Sequence, residues 1–150
     1  MIYFIVVGRV PPPLTSHDLL RLARVLGDHR RRRRVEEIGL RCVSSSEMRR
    51  LNASYRKHDY ATDVLSFPPA VLGHTAEPFL GDIVLCPSYA SQEAKRRGIA
   101  VKEEFVRLIT HGFLHLVGYD HATNDGESRM FLLQEQILAR VLGSSYALAS

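Results

Sequence analysis

The stretch Gly81-Asp82-Ile83-Val84-Leu85-Cys86-Pro87-Ser88 decides the fold. Its first six residues form a short, largely apolar run, and the Pro-Ser pair behind them is a helix-start signal. The spacing predicts a buried strand over 81–86 passing directly into a helix that ends near Gly98. Downstream, Phe105, Leu108, Ile109, Gly112 and Leu116 recur at helical spacing and predict a helix from Val101 to about Val117. Met130, Leu133, Leu138 and Val141 predict another from Glu127 to about Leu142. Upstream, Val64–Phe67 reads as a strand stopped by Pro68-Pro69. Ser44 and Glu47 resemble a capping box opening a helix with Met48, Leu51 and Tyr55 on one side. Ile38, Leu40 and Cys42 alternate as in a strand with one well-buried face. Thr15 or Ser16 can cap a helix carrying Leu19, Leu22, Ala23 and Leu26, with Gly27 as terminator. Met1–Val7 is an apolar strand closed off by Pro11-Pro12-Pro13. Ala70 to Phe79 reads as loop and 143–150 as a frayed tail. Strands interleaved with helices predict one α+β or α/β domain over 1–150, with a mixed, roughly four-stranded sheet packed against helices.

Length and composition agree. The chain has 150 residues, 45% hydrophobic and 24% charged, which fits one domain able to bury about two-thirds of its unfolded surface without disulfide or metal support. Disorder and coiled coil are excluded, and no apolar run approaches the roughly 20 residues that span a bilayer. The opening apolar run lacks a basic leader and a cleavage site, so it reads as a strand rather than a signal peptide. Cys42 and Cys86 make neither a disulfide framework nor a metal pattern, pointing to a reducing, cytoplasmic setting. Charge is uneven: residues 1–56 hold 12 Arg against 5 acids, a net +7, whereas 57–150 hold 8 Lys and Arg against 11 acids, a net −3. Arg30 to Arg34 run unbroken, a block that attracts polyanions and equally suits a solvated loop.

Chemistry concentrates in His111-Gly-Phe-Leu-His115-Leu-Val-Gly118-Tyr-Asp-His121. His111 and His115, four apart on a helix, leave one face and can meet one cation. Gly118 can end the helix in a left-handed conformation and bring His121 round as a third ligand. Imidazole nitrogen favours Zn²⁺, with other divalent transition metals also compatible, and three ligands leave one tetrahedral position for water. The spacing matches the zinc-peptidase pattern H-E-x-x-H-x-x-G-x-x-H, except that Gly112 stands where the peptidase has its general base. A glycine there costs about 1 kcal/mol of helix propensity relative to Ala, which suggests that another element or the substrate approaches the helix closely. Phosphodiester hydrolysis depends less on a dedicated base, because a cation makes hydroxide available near neutral pH. It does need cations on the phosphoryl oxygens, and Arg56 and Lys57 offer them. Asp63 and Asp82, beside predicted strands, can orient a histidine, position water or cap a turn, and Asp120 suits a supporting role.

These residues resemble the YbeY family of metal-dependent endoribonucleases that mature ribosomal RNA. The histidine segment is similar to that family's H-G-x-L-H-L-x-G-Y-D-H signature. The likeness extends through Leu51-Asn52-Ala-Ser-Tyr55-Arg56, Thr62-Asp63-Val64-Leu65-Ser66-Phe67-Pro68, Gly81-Asp82-Ile83-Val84, and Met130-Phe131 with Gln134-Glu135-Gln-Ile137-Leu138. It covers about residues 35 to 142. The resemblance implies an α+β fold, one Zn²⁺ per chain held by His111, His115 and His121 at the end of a core helix, and single-strand-specific RNA cleavage. It implies a catalytic role for Arg56 and work on the small-subunit rRNA 3′ end and in ribosome quality control, with ribosome or small-subunit proteins as partners. Lys57 and Asp82 are candidate substrate or partner contacts. Where the family reads Gly-Lys-Asp-Lys-Pro, this chain has Lys57-His58-Asp59-Tyr60-Ala61, which removes a fixed turn and makes His58 an extra candidate contact.

Two rivals accompany this reading. A zinc peptidase would need a carboxylate such as Asp82 or Glu104 to replace the missing base. A non-catalytic ribosome-associated module would close its metal with a fourth protein ligand.

Overall fold

The structure is a computed structural model that describes residues 1–58, 60, 62–69, 78–119, 123–143 and 146. The elements run β1 (Ile2–Val7), α1 (Ser16–Arg30), β2 (Glu36–Cys42), α2 (Ser45–Arg56), β3 (Val64–Phe67), β4 (Phe79–Leu85), α3 (Pro87–Arg97), α4 (Val101–Leu116) and α5 (Asn124–Leu142). The sheet order is β1-β2-β4-β3. β1 and β4 lie parallel to β2, and β3 is antiparallel to β4, so the sheet is mixed and the domain α+β.

The two-residue period of the strands explains how both sheet faces are covered. Ile38, Leu40, Ile83 and Leu85 turn to one face and join Leu22, Leu26, Phe105, Ile109 and Leu138 in the main core. Val84, Leu65 and Phe67 turn to the other, where Met48 of α2 closes a smaller cluster. β2 is thus buried on both faces along its middle rather than on one. β4 opens at Phe79, not Gly81, and Cys86 is the N-cap of α3, so the strand-to-helix switch falls one residue early. Of the predicted loop from Ala70, residues 70–77 lie outside the described residues.

Helix boundaries follow local chemistry. Thr15 and Asp18 make a reciprocal capping box at the start of α1. The helix continues past Gly27 to a left-handed Arg31, whose N–H reaches Gly27 O at 3.1 Å. Gly27 lies inside the helix on the side facing β1, where a Cβ would make an ordinary contact 3.6 Å from Ile2 N. Arg30 is committed to an ion pair. It grips the buried Glu36 through Nε and Nη2 at 3.1–3.3 Å, and Arg31 to Arg34 are exposed. α5 begins at Asn124 under a Thr123 cap, three residues before the predicted start. Within 143–150, Gly143 and Tyr146 are described, and Tyr146 packs on the core and accepts from Arg107 Nη2 at 3.0 Å. No helix among the described residues is long and apolar enough to cross a membrane.

Candidate active site

α4 is central because its stripe at positions 104, 107, 108, 111 and 115 borders a cavity of about 490 Å³. α2 and the segment after it supply Arg56, His58 and Tyr60; β3 and its approach supply Thr62 to Ser66; α3 supplies Arg97 and α5 supplies Gln134. A larger hollow of about 690 Å³ between β1 and α1 is lined mainly by apolar side chains such as Ile2, Phe4 and Leu19. It holds none of the candidate site residues, so chemistry rather than volume locates the site.

Gly112 explains how α4 sits so close to the sheet. A Cβ at this position would lie 3.2–3.3 Å from three side-chain carbons of Ile83 on β4. The close neighbour expected from the sequence is therefore the central strand. Gly112 itself lines the cavity, and any larger residue there must first displace the Ile83 side chain, so the position is filled by packing and carries no carboxylate of the peptidase pattern.

His111 and His115 bring their Nε2 atoms within 3.1 Å, with ring planes at 81°. Two imidazoles on one tetrahedral Zn²⁺, each at about 2.0–2.1 Å, would hold their nitrogens about 3.4 Å apart, so the pair fits a shared cation with little rearrangement. His111 Nδ1 lies 3.3 Å from Gln134 Oε1. An amide oxygen only accepts, so the tautomer that satisfies this contact has its proton on Nδ1 and its Nε2 lone pair toward His115. Gln134 is 8% exposed and wedged between α4 and α5, which holds the ring in this orientation. Gly118 has φ of +104°, and the N–H of Tyr119 returns to Leu114 O at 2.9 Å, so the helix ends in the sharp turn its glycine predicts. His121 and Asp120, beyond that turn, lie outside the described residues. Among the described residues there is no cluster of three metal-binding side chains.

The other candidates divide. Arg56 is exposed and lines the cavity from the last turn of α2. Lys57 follows it as a left-handed C-cap with φ of +59° and is not among the lining residues. His58 lines the cavity, 5.4 Å from the Tyr60 ring. Buried Asn52 donates through Nδ2 to Tyr60 O at 2.9 Å, tying this segment back to α2. Asp63 borders the cavity but accepts from its neighbour Thr62 at 3.4 Å. Among the described residues, the side chain beside His111 Nδ1 is Gln134. Asp82 sits inside β4 on the face opposite α4, its carboxylate lying over Gly39, where a Cβ would approach Oδ1 to 1.8 Å. It therefore shapes the far face of the sheet and not the cavity.

Three charged residues of the cavity carried no assigned function in the sequence reading, Glu104 entering only as a substitute peptidase base. Arg107 lies four residues before His111 and eight before His115, a periodicity that places it on the same stripe. It is bound by Glu103 at 3.1 Å and by Tyr146 at 3.0 Å. Glu104 is buried and accepts from Arg97 at 3.0 Å. Burial pushes the Glu104 carboxyl above its ordinary value, against the pull of Arg97 and Arg107 and with Asp63 and Glu103 adding to the rise. No local spacing announces a partner seven residues away across a turn.

A family model described as endoribonuclease YbeY matches residues 17–142, a span that contains every cavity residue named above. An endoribonuclease YbeY from Thermobifida fusca is 41% identical over 133 residues, 85% of this chain and 86% of its own length. One from Kineococcus radiotolerans is 39% identical over 127 residues, 81% of this chain and 73% of its own. A protein of Thermotoga maritima solved in solution superposes with a TM-score of 0.62 at 26% identity, over 94% of this chain and 89% of that one.

Proposed function

This chain belongs to the endoribonuclease YbeY family, a metal-dependent family of RNA phosphodiester hydrolases, and from that premise we propose that the α4 cleft cuts single-stranded RNA around one Zn²⁺ per chain. The observation that carries the proposal is the 3.1 Å convergence of His111 and His115 Nε2 beside a cavity lined by Arg56. His111, His115 and His121 would hold the ion. When bound, it supplies Lewis acidity, acidifying a water and drawing charge from a phosphoryl oxygen. Arg56 binds the scissile phosphate, and its planar, permanently charged fork stabilises the charge that builds on the phosphoryl oxygens. Gln134 keeps His111 in the tautomer that offers Nε2 inward. Asn52 holds the segment carrying His58 and Tyr60 against α2, which fixes the wall beside Arg56. Lys57 stands one residue outside that wall, suited to a phosphate further along the strand. Two attacking oxygens fit the cleft, one from water and one from the RNA's own 2′-hydroxyl. A 2′,3′-cyclic phosphate on the product identifies the second.

The biological reading is maturation of ribosomal RNA, especially the small-subunit 3′ end, and ribosome quality control in the cytoplasm. Asp82, on the sheet face away from the cleft, suits contact with a ribosomal protein better than contact with substrate.

The deciding experiment combines metal analysis with cleavage of matched single- and double-stranded RNA by the wild type and by Arg56→Ala. The wild type should cut the single strand, lose activity to a chelator and recover it with Zn²⁺. Arg56→Ala should keep its metal and lose cleavage by about 10²-fold or more. Cleavage by that variant at the wild-type rate would remove Arg56 from the chemistry. A further expected result concerns Gln134→Leu, which should weaken metal binding by about 10–100-fold in a chelator competition. Unchanged affinity would show that the amide does not orient His111.

A further inference from the structure

The cleft is built for more than one phosphate. A volume of about 490 Å³ lies in the usual range of small-ligand sites, roughly 300–1,000 Å³, and exceeds what one phosphodiester group fills. A single strand lying in it carries a phosphate at every nucleotide, so an adjacent phosphate must also meet the cavity wall. The wall offers two further guanidiniums, on Arg97 and Arg107. Arg107 is 14% exposed at its side chain and engaged by Glu103 and Tyr146, with Glu135 at 3.9 Å. Arg97 differs. Only its Nη1 is engaged, by Glu104, and its side chain is 45% exposed. Among the described residues, the remaining nitrogens of its fork make no hydrogen bond, and Glu93 acts on the guanidinium only through its charge.

We propose that Arg97, held in place by the buried Glu104, is a second contact for the RNA backbone and binds a phosphate next to the scissile one. This rests on the cleft being the RNA site. Glu104 is the positioning residue. Its side chain is 3% exposed, and a carboxylate so buried is tolerated chiefly because Arg97 neutralises it, which commits the guanidinium to the cavity wall. Arg97 lines the cavity with one nitrogen already fixed by Glu104, so binding a phosphate costs little side-chain entropy. Nothing in this arrangement reads a base, so the contact serves any single-stranded sequence.

Removing Arg97 alone would leave Glu104 buried and unpaired, so the informative variant is the double replacement Arg97→Gln with Glu104→Gln, which removes both charges together. The metal-loaded full chain is assayed on a single-stranded oligoribonucleotide across a salt series, with thermal melting as a check on folding. KM should rise roughly tenfold at low salt while kcat changes less than about threefold, and the slope of log KM against log salt should become shallower by about 0.7. Arg97→Lys, which keeps the charge opposite Glu104, should restore the slope. The proposal is overturned if the folded double variant keeps the wild-type KM and slope, if its loss appears in kcat at unchanged KM, or if Arg97→Lys fails to restore the slope. A wild-type protein that neither binds nor cuts RNA would instead bring down the reading of the cleft, and this inference with it.

Discussion

Replacing Gly112 with glutamate is expected to destabilise the domain strongly rather than turn it into a peptidase. Gly112 faces Ile83 of β4, and even a single added carbon would stand 3.2–3.3 Å from three of that side chain's atoms. Overpacking of this kind costs about 1–3 kcal/mol, and a carboxylate driven into the same apolar contact adds a desolvation penalty of several kcal/mol more. The combined loss, about 4–6 kcal/mol, rivals the whole stability of an ordinary domain, roughly 5–15 kcal/mol. Urea denaturation followed by far-ultraviolet circular dichroism should show the transition of Gly112→Glu shifted far toward zero denaturant, and no casein cleavage should appear. Gly112→Ala isolates the steric part: its gain in helix propensity, about 1 kcal/mol, is expected to fall short of the overpacking cost. Combining it with Ile83→Val should recover part of the loss. A Gly112→Glu protein melting with the wild type would mean that α4 does not lie against β4 as described.

His115→Ala should produce the largest loss of activity. Its imidazole is half-buried on the cavity side of α4 and pairs with His111 at 3.1 Å, so truncation removes a donor without opening the core. Cleavage of single-stranded RNA should fall at least about a thousandfold, and bound metal should drop from one ion per chain to a small fraction. Thermal stability of the metal-free variant should stay close to that of the metal-free wild type. That pairing separates loss of a ligand from loss of fold. Added Zn²⁺ should rescue chelated wild type and leave His115→Ala inactive. Full cleavage by a metal-free His115→Ala protein would refute a metal-centred mechanism.

The site residues were readable from the sequence to different depths, for physical reasons. His111 and His115 stand four apart on a strongly periodic helix, and helix geometry alone puts them on one face. Arg56 came from the Tyr-Arg motif and the chemistry a phosphodiester requires, and the structure has it lining the same cavity. The absence of a glutamate at position 112 argues against a peptidase from the sequence alone. Gln134 was visible only as one letter of a final-helix motif, because its contact with His111 spans 23 residues and depends on how α5 docks on α4. Arg97 and Glu104 gave no signal beyond their charge, since the turn between α3 and α4 brings them together.

Local spacing therefore indicated the kind of each element: alternation at Ile38, Leu40 and Cys42, a strand at 64–67, a strand over 81–86 that in the structure spans 79–85, helices whose caps and apolar stripes lie in the chain itself, and a histidine pair on one helical face. Tertiary packing alone decided that β4 runs inside the sheet between β2 and β3, which puts Ile83 under Gly112 and turns Asp82 to the far face. The reason is range. Caps and periodicity act over a single turn or a few strand residues, whereas which group faces which across the cleft depends on contacts between segments tens of residues apart, whose pairing no local rule encodes.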